Sequence, residues 1–333
     1  MGRKLKGALC GCGMISEFHL RGWSRIAEVE IVALCDLAID RASDRRRQFA
    51  PGARVYAALD EMLSAEDLDF IDILTIPSLH GEHCRLARQA NLHIVCQKPL
   101  CDNLAAARDL AREMAGYEKI FAVHENHRFR PWFQTVRERL RQGEFGAPSL
   151  LRIEHLSAAE PAEPYKNEAV AGILLEYGTH LIDMMRSLLG EPSRVYTRMH
   201  HLNPRVRGES LVHAVYEYPE CTASISMAWK RTAAAQSSFL LVGNAGEAWY
   251  EGGLTRGDSG RLRIAEGERV VLDEPRCPYD DYVESFYLFE RECADAMLGR
   301  GRIAQTGEEN LKTLACTFAA YESAAAARPV EIA

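Results

Sequence analysis

A glycine-rich turn near the start of the chain restricts its fold more than any other feature of the sequence. The run Gly11-Cys12-Gly13-Met14-Ile15-Ser16 follows the apolar stretch Leu5–Cys10, which predicts a buried strand, and opens the helix-like stretch Ser16–Ile26. Gly11 permits the tight turn, Gly13 lets a ligand approach the backbone, and the small Ser16 keeps helix and strand close. The free N–H groups at a helix start bind phosphate oxygens, so the turn predicts a dinucleotide site.

A carboxylate stands where such a turn requires one. Asp36 closes the second apolar run, Glu30–Cys35, about 20 residues after the turn. It would accept hydrogen bonds from the adenosine ribose and would repel a 2′-phosphate, which favours NAD over NADP, although Arg41 nearby could weaken that preference. The alternative is that Asp36 only caps the next helix.

The first 125 residues alternate short apolar runs with helix-like segments. Such alternation is typical of a parallel sheet covered by helices on both faces. Further strands are predicted over Phe70–Thr75, His93–Cys96 and Ile120–His124, and helices over Ala38–Phe49, Gly81–Gln89 and Asn103–Met114. The sequence therefore predicts an α/β protein in which residues 1–125 form a doubly wound parallel sheet of the Rossmann type.

The pattern changes after residue 125. A helix predicted over Pro131–Arg141 precedes longer runs in which polar and apolar residues alternate, as in sheets with one face in solvent. These strands are predicted at Leu150–His155, Arg194–His200, Leu211–Tyr218, Thr222–Trp229, Ser238–Val242 and Glu247–Glu251, and further helices at Ile173–Leu189, Tyr282–Met297 and Glu308–Ala326. Residues 126–333 are expected to form an α/β domain with a large, mostly antiparallel open sheet, whose final helix can pack back on the first domain.

The composition excludes several classes of protein. The net charge is −7 and no basic run exceeds Arg45-Arg46-Arg47, so nucleic acid is not expected as a partner. No apolar run is long enough to span a membrane, and the first residues lack the apolar core of a signal peptide, which predicts a cytoplasmic protein. The 10 cysteines form no CxxC pair, as expected for reduced, buried thiols. No metal site is expected, because His200, His201 and His213 have no cysteine or carboxylate at ligand spacing.

A more specific signal follows the predicted strand His93–Cys96. Gln97-Lys98-Pro99 resembles the Glu-Lys-Pro motif of the family of glucose–fructose oxidoreductase, inositol dehydrogenase and the rhizopine-catabolism protein MocA (Gfo/Idh/MocA). Other runs resemble motifs of that family in the same order: TIPSLH at 75–80, NHRFRP at 126–131, EYGTHLID at 176–183, YESA at 321–324 and PV at 329–330. The resemblance spans nearly the whole chain, and the run 124–132 is most similar to the aldose-oxidising members.

The resemblance implies an N-terminal Rossmann domain and a C-terminal α/β domain through whose sheet the chain forms a homodimer or homotetramer. It also implies NAD(P) as cofactor and a sugar, inositol or other polyol as substrate. The residues that it implies at the cofactor are Gly11, Gly13, Met14, Ile15, Asp36, Thr75, Pro77, His80, Gln97 and Lys98. Two departures matter: Gln97 replaces a glutamate, and Glu176 replaces the more common aspartate, so that its carboxylate reaches about one methylene further.

Oxidation of an alcohol by hydride transfer needs a base for the hydroxyl proton and a group that stabilises the developing carbonyl oxygen. We predict His180 as the base, because imidazole titrates near neutrality, and Lys98 as its cationic partner, although the two roles could be exchanged. Glu176, His180 and Asp183 stand at i, i+4 and i+7, on one face of an ideal helix. Glu176 is expected to bind a substrate hydroxyl, while Asp183 either binds substrate or orients Lys98 or His180. The alternative is a solvated polar stripe and an ordinary surface lysine.

Several residues beside these motifs are secondary candidates. Asn126 and Lys166 are predicted to contact substrate, and Arg128 either shapes the cleft or forms an ion pair between domains. The remaining candidates are Tyr165 in the loop of Lys166, His124 and His127 as structural histidines, and Trp229 and Lys230 as interface residues.

Three functions stay open at this point. The favoured one is NAD-dependent oxidation of a sugar or polyol hydroxyl to a ketone or lactone. The resembled family also has a retaining glycosidase branch, which uses NAD without net NADH formation, and a sensor branch without turnover. The presence of both Lys98 and His180 argues against the sensor.

Overall fold

The computed structural model describes residues 3–158, 164–229, 236–254 and 259–332, apart from the side chains of Pro164 and Tyr165. Lys230 and the Tyr165 side chain therefore lie outside the described residues. The chain divides into two compact units. Unit 1 comprises Met1–Asn126 and Val283–Leu311, and unit 2 comprises His127–Tyr282 and Lys312–Ala333. The first boundary falls beside the predicted one, but a later segment of about one helix returns to unit 1.

Unit 1 contains a six-stranded parallel sheet. Its strands are β1 (Leu5–Cys10), β2 (Val29–Cys35), β3 (Arg54–Tyr56), β4 (Phe70–Ile73), β5 (His93–Gln97) and β6 (Phe121–His124). Their order is β3-β2-β1-β4-β5-β6. The helices between them are α1 (Ser16–Trp23), α2 (Ile39–Phe49), α3 (Leu59–Ala65), α4 (Pro77–Gln89) and α5 (Leu104–Glu113). The predicted doubly wound sheet is confirmed, while β3 and α3 are too short to have shown a period in the sequence.

Local signals explain where these helices begin. Pro77 opens α4, where its missing N–H costs nothing. Asn103 caps α5, because its side chain accepts a hydrogen bond of 2.8 Å from the N–H of Ala106. The order of the sheet reverses between β1 and β4, and open α/β sheets bind ligands at the carboxyl ends of strands beside such a reversal.

Unit 2 is built on a nine-stranded sheet. Its strands are β7 (Pro148–Ser157), β8 (Arg194–His200), β9 (Leu211–Glu217), β10 (Thr222–Trp229), β11 (Gln236–Gly243), β12 (Gly246–Gly252), β13 (Gly260–Glu266), β14 (Arg269–Arg276) and β15 (Val330–Glu331). Their order is β14-β13-β12-β11-β7-β10-β9-β8-β15, and β7 with β10 is a parallel pair in an otherwise antiparallel sheet. The large, mostly antiparallel sheet is confirmed, and it is longer than predicted by β13 and β14.

Unit 2 contains several helices besides this sheet. They include α6 (Pro131–Arg141), α7 (Pro164–Glu168) and α8 (Thr179–Leu189), with a π-helical turn over Leu174–Gly178 directly before α8; of the two later helices, α9 (Pro278–Met297) lies mainly in unit 1 and α10 (Gly307–Ala326) mainly in unit 2. Buried side chains alternate with exposed ones along β9 and join the core, where the ring of Trp132 stacks on that of Tyr250 at a centroid distance of 4.3 Å. Among the described helices, none is both long and apolar enough to cross a membrane.

Candidate active site

The glycine turn has the geometry that its sequence predicts. Gly11 has φ +101°, and a Cβ there would lie 2.7 Å from the backbone carbonyl of Leu74, so only glycine fits. At Gly13 a Cβ would meet nothing within 4 Å, which leaves its backbone open to a ligand. Ile15 caps α1 and Met14 beside it is 47% exposed. The turn therefore offers the free backbone that phosphate groups need.

Asp36 is held beside this turn. Its carboxylate accepts hydrogen bonds from the N–H of Cys12 at 2.7 Å and from the N–H of Ala38 at 2.8 Å. Ala38 is the N-cap residue of α2, so Asp36 accepts from the N–H just before that helix, whereas a capping side chain at the N-cap accepts from the N–H groups of the first turn. A carboxylate fixed at the end of β2 fits an adenosine ribose.

An arginine that the sequence analysis missed also contacts the turn. Arg45 donates to the Ser16 hydroxyl at 3.0 Å and to the Gly13 carbonyl at 3.2 Å, while Arg41, the residue suggested for this region, is exposed. Arg45 lies one helical turn after Arg41 on α2, and this i, i+4 spacing could have indicated Arg45 as a second candidate beside the turn.

The loop after β4 is tied to the loop after β5. His80, fully buried in α4, has Nδ1 3.0 Å from the carbonyl oxygen of Pro99 and Nε2 3.0 Å from that of Thr75. Burial lowers the pKa of His80 to about 4, so the ring is neutral at neutral pH. The neutral ring carries one N–H, so it donates to one of these two carbonyls and contacts the other, which places His80 between the two loops. Thr75 contacts His83 through its hydroxyl at 3.1 Å, and Pro77 lies half-buried at the start of α4.

Lys98 directly follows β5. Its backbone N–H donates to the side-chain oxygen of Gln97 at 2.8 Å, and its peptide bond to Pro99 is cis. The ε-amino group therefore starts from a backbone that is held on both sides, by Gln97 before it and by His80 after it.

The predicted residues of unit 2 belong to a buried cluster of aromatic and basic side chains. His180, 6% exposed, stacks on His127 with ring centroids 3.9 Å apart, and the NH2 group of Arg130 lies 3.0 Å from Nε2 of His127. Tyr177 stacks on His155 at 3.8 Å, and burial lowers the pKa of His155 to about 3. Arg130 and Tyr177 lie inside the runs 126–131 and 176–183 but were not singled out within them, and His155 lies in no such run.

Glu176 and Asp183 pair with different basic side chains, and the three residues predicted to share one helix face span the change from a π-helical turn to α8. Glu176 lies in the π-helical turn, where the hydrogen bonds run i to i+5, so the ideal α-helical spacing does not apply across Gly178. Glu176 forms an ion pair of 2.5 Å with Lys166, and Asp183 forms a buried one with Arg128.

Arg128 and Asp183 both belong to unit 2, so their pair is not the interdomain bridge that the sequence allowed. The Arg128 Nε–H donates to Asp183 Oδ2 at 2.6 Å and its NH2 group donates to Oδ1. Asn126, the last residue of unit 1 before the boundary, donates to the Ser285 hydroxyl at 2.8 Å and is 3% exposed.

A buried glutamate that the sequence analysis did not single out holds the start of this helical segment. Glu209, 5% exposed, accepts from the N–H groups of Gly172 and Leu174, each at 2.9 Å, and from the Tyr321 hydroxyl at 2.8 Å. A carboxylate at a helix start satisfies free N–H groups and the helix dipole, so Glu209 helps to place Glu176 and His180.

These two arrangements define the class of protein: a dinucleotide-binding Rossmann unit joined in one chain to an α/β unit that carries a histidine-rich polar cluster. Residues 5–125 match the Gfo/Idh/MocA family described as an oxidoreductase family with an NAD-binding Rossmann fold, and residues 133–249 match the C-terminal domain of that family. The chain belongs to the Gfo/Idh/MocA oxidoreductases.

Relatives match over nearly the full chain. The D-apiose dehydrogenase of Paraburkholderia graminis is 33% identical over 344 residues, covering 99% of this chain and 90% of that protein. The D-apiose dehydrogenase of Rhizobium rhizogenes is 27% identical, with 99% and 98% covered.

Solved structures have the same fold. An oxidoreductase from Agrobacterium radiobacter in complex with NAD+, L-tartaric acid and magnesium has a TM-score of 0.86 at 26% identity, covering 99% of this chain and 98% of that chain. The WlbA dehydrogenase from Bordetella pertussis has a TM-score of 0.87 at 21% identity, with 100% and 99% covered, and so shows the likeness in fold.

Proposed function

We propose that this protein oxidises a hydroxyl group of an aldose with NAD, and that D-apiose is the first sugar to test. The observation that carries this proposal is the full-length similarity to D-apiose dehydrogenases, at 33% identity over 99% of the chain. It agrees with the run 124–132 and the Gln-Lys-Pro variant, which favoured apiose dehydrogenase among the aldose-oxidising members of the family.

The cofactor is NAD, which the residues of the turn fit. Gly11 makes the tight turn against the Leu74 backbone, Gly13 leaves its backbone open, and the fixed carboxylate of Asp36 suits two ribose hydroxyls but repels a 2′-phosphate. When bound, NAD supplies the hydride acceptor, and the side chains of this protein bind the substrate and transfer the proton.

We assign the proton chemistry to His180 and Lys98. His180 takes the hydroxyl proton, and the stacked ring of His127 holds its plane. Lys98 donates a hydrogen bond to the same oxygen and stabilises the charge that develops on it. The Lys166–Glu176 pair supplies one donor group and one acceptor group for the remaining sugar hydroxyls, while Asp183 acts through Arg128 on the position of the cluster.

The outer face of the nine-stranded sheet is proposed to join copies of the chain. A row of residues in register crosses this face, and it consists of Tyr196, Val215, Ser224, Arg152, Leu240 and Trp249. Tyr196 and Val215 are each 36% exposed, and Leu150 on the same face is 37% exposed. We propose a homodimer or homotetramer, and light scattering on the wild type and on Tyr196→Glu would test this oligomeric state. We also propose that the protein is located in the cytoplasm.

The test of the activity is NADH formation from NAD with a panel of aldoses and polyols that includes D-apiose. Turnover on one sugar should fall by about 100-fold or more in Lys98→Ala and in His180→Ala, since each removes a group that acts on the reacting oxygen. Tight NAD binding without NADH from any sugar would contradict the proposal, and glycosidase activity would be assayed next.

A further inference from the structure

A buried carboxylate in unit 1 accepts two hydrogen bonds on one oxygen. Asp72 lies in β4 and is fully buried. Its Oδ2 accepts from the indole N–H of Trp23 at 2.7 Å and from Nδ1 of His19 at 2.8 Å. Because the carboxylate can only accept, the proton on the His19 ring is held at Nδ1.

The other nitrogen of His19 continues the chain of hydrogen bonds. With its proton at Nδ1, the neutral ring offers a lone pair at Nε2, which lies 2.9 Å from the side-chain nitrogen of Gln97. Gln97 therefore donates to His19 with its amide nitrogen, while its amide oxygen accepts from the backbone N–H of Lys98 at 2.8 Å. Every bond in the chain donates in one direction, from Lys98 towards Asp72.

We propose that Asp72, His19 and Gln97 are positioning residues that set the backbone from which the Lys98 side chain reaches the reacting oxygen. This inference rests on the proposed function, in which Lys98 serves that oxygen. The three residues lie on β4, α1 and the end of β5. The chain of hydrogen bonds therefore fixes the backbone of Lys98 to two sheet strands and a helix, which are rigid elements.

The direction of donation explains why glutamine stands at position 97 in this protein. An amide has a donor and an acceptor at opposite corners, as Lys98 and a neutral His19 require. A carboxylate there would present only acceptors, and His19 would need a second proton at Nε2. Glutamine at 97 therefore matches a neutral His19, whereas the glutamate typical of the resembled family would match an imidazolium.

The surroundings of His19 limit the charge that the cluster can hold. Glu290 from α9 has Oε1 3.5 Å from His19 Nδ1, and burial, with Asp72 nearby, raises the pKa of Glu290 well above its ordinary value. The ring of His124 from β6 lies 4.1 Å from that of His19. His19, His124 and Glu290 are close enough together to hold a metal ion, but both ring nitrogens of His19 are already used, which favours the hydrogen-bonded arrangement.

The first test removes the amide while keeping the side-chain length. Gln97→Met should lower kcat by about 10- to 100-fold, with KM for the sugar and Kd for NAD changed by less than about threefold, because misplacement of a reacting group costs rate more than binding. The matched control is Tyr117→Phe, which removes the hydrogen bond of 2.6 Å to the Leu92 carbonyl beside the opposite end of β5 and should leave kcat unaltered. An unchanged kcat in Gln97→Met, or an equal loss in both variants, would overturn the proposal.

The second test restores the chain of bonds with a carboxylate. In Gln97→Glu, His19 must be doubly protonated to bridge Asp72 and the new glutamate, in the presence of Glu290 and His124. The activity of this variant, divided by that of the wild type, should therefore be highest at the acid end of the assay range and fall as the pH rises. A ratio that does not change with pH would contradict donation from Lys98 towards Asp72.

A measurement without substrate separates this inference from the proposed function. Nitrogen-15 NMR of labelled histidine should show His19 with one proton, at Nδ1, in the wild type, and with both nitrogens protonated in Gln97→Glu at acid pH. A proton on Nε2 in the wild type would overturn the positioning chain even if D-apiose is oxidised rapidly. The expected pattern in a protein that oxidises no sugar would instead remove the proposed function and leave the hydrogen-bond chain standing.

Discussion

The interiors of the two units hold polar side chains in different ways. In unit 1 the buried groups around Asp72 form a chain of hydrogen bonds in which neutral donors all donate towards one carboxylate. In unit 2 two arginines lie in the interior only two residues apart, and their surroundings differ. Arg128 is matched by the carboxylate of Asp183, whereas Arg130 has a hydrogen bond to His127, and its Nε and NH1 groups find no partner among the described residues.

This difference shows what stabilises each interior. A buried ion pair depends on both partners, since removing one leaves an uncompensated charge. A chain of hydrogen bonds from neutral donors depends on the direction of each bond, so that removing one neutral donor breaks the chain without removing the partner of a charged group. Burial accordingly lowers the pKa of Arg130, whose charge is not matched by a hydrogen-bonded carboxylate.

The largest effect is expected for the ion pair of unit 2. Asp183→Asn leaves the buried Arg128 without its negative partner and should lower the free energy of unfolding by about 3–5 kcal/mol. Chemical denaturation of both proteins would measure this loss. The control is Glu217→Gln, whose partner Arg194 is 47% exposed, and which should cost less than about 1 kcal/mol. Equal losses in the two variants would mean that burial does not set the strength of these pairs.

Two buried groups of unit 1 are expected to change the free energy of unfolding with pH in opposite directions. The pKa of His80 is about 4 in the folded protein, so the unfolded chain binds a proton first as the pH falls from about 6.5, and up to about 3 kcal/mol of stability is lost by pH 4. The pKa of Glu290 is raised, so its burial costs stability as the pH rises above about 4.5.

Melting temperatures across this range would separate the two contributions. His80→Gln should lose less stability than the wild type on acidification, and Glu290→Gln should lose less on raising the pH. If the melting temperatures of all three proteins change in parallel, these two groups do not set the pH dependence.

A smaller effect tests the packing of the unit 1 cluster. A Cβ at Gly22 would lie 2.0 Å from Oε2 of Glu290, so Gly22→Ala should destabilise the protein by about 1–3 kcal/mol, although alanine is the better helix former. Shortening the acid in Gly22→Ala/Glu290→Asp should recover part of this loss when compared with Glu290→Asp alone. A stabilised Gly22→Ala variant would show that Glu290 moves aside freely.

The smallest effect is expected for the unmatched arginine. Arg130→Met replaces a buried charge by an apolar side chain of similar length, and it should change the free energy of unfolding by less than about 1 kcal/mol or raise it. Denaturation beside Asp183→Asn gives the direct comparison. A loss as large as that of Asp183→Asn would show that Arg130 is matched by its surroundings as fully as Arg128.

Parts of the molecule that depend on backbone geometry could be predicted from neighbouring residues. The turn at Gly11 and Gly13, the carboxylate of Asp36 and the alternation of strands and helices follow from local rules, and the structure confirms the parallel sheet that they imply. The strand β13 was missed although Leu262 and Ile264 alternate with arginines there, whereas β14 shows no regular alternation that could have predicted it.

Side chains brought together from distant parts of the sequence could not be predicted in the same way. The partner of Asp183 is 55 residues away and that of Asp72 is 53 residues away, and no local pattern relates such positions. Similarly, the π-helical turn that contains Glu176 lies where Glu209 accepts from the N–H groups of Gly172 and Leu174, and no local pattern predicts that the spacing there departs from that of an ideal helix.

The amino-acid sequence alone was enough to establish the fold class, the dinucleotide turn and the family, because each depends on residues that are close in the chain or on motifs in a constant order. The folded structure was needed to establish which carboxylate holds which arginine, that His80 joins two loops, and that Gln97 lies between His19 and Lys98. The physical reason is that hydrogen bonds and ion pairs act over a few ångströms in space, and only folding brings their two ends together.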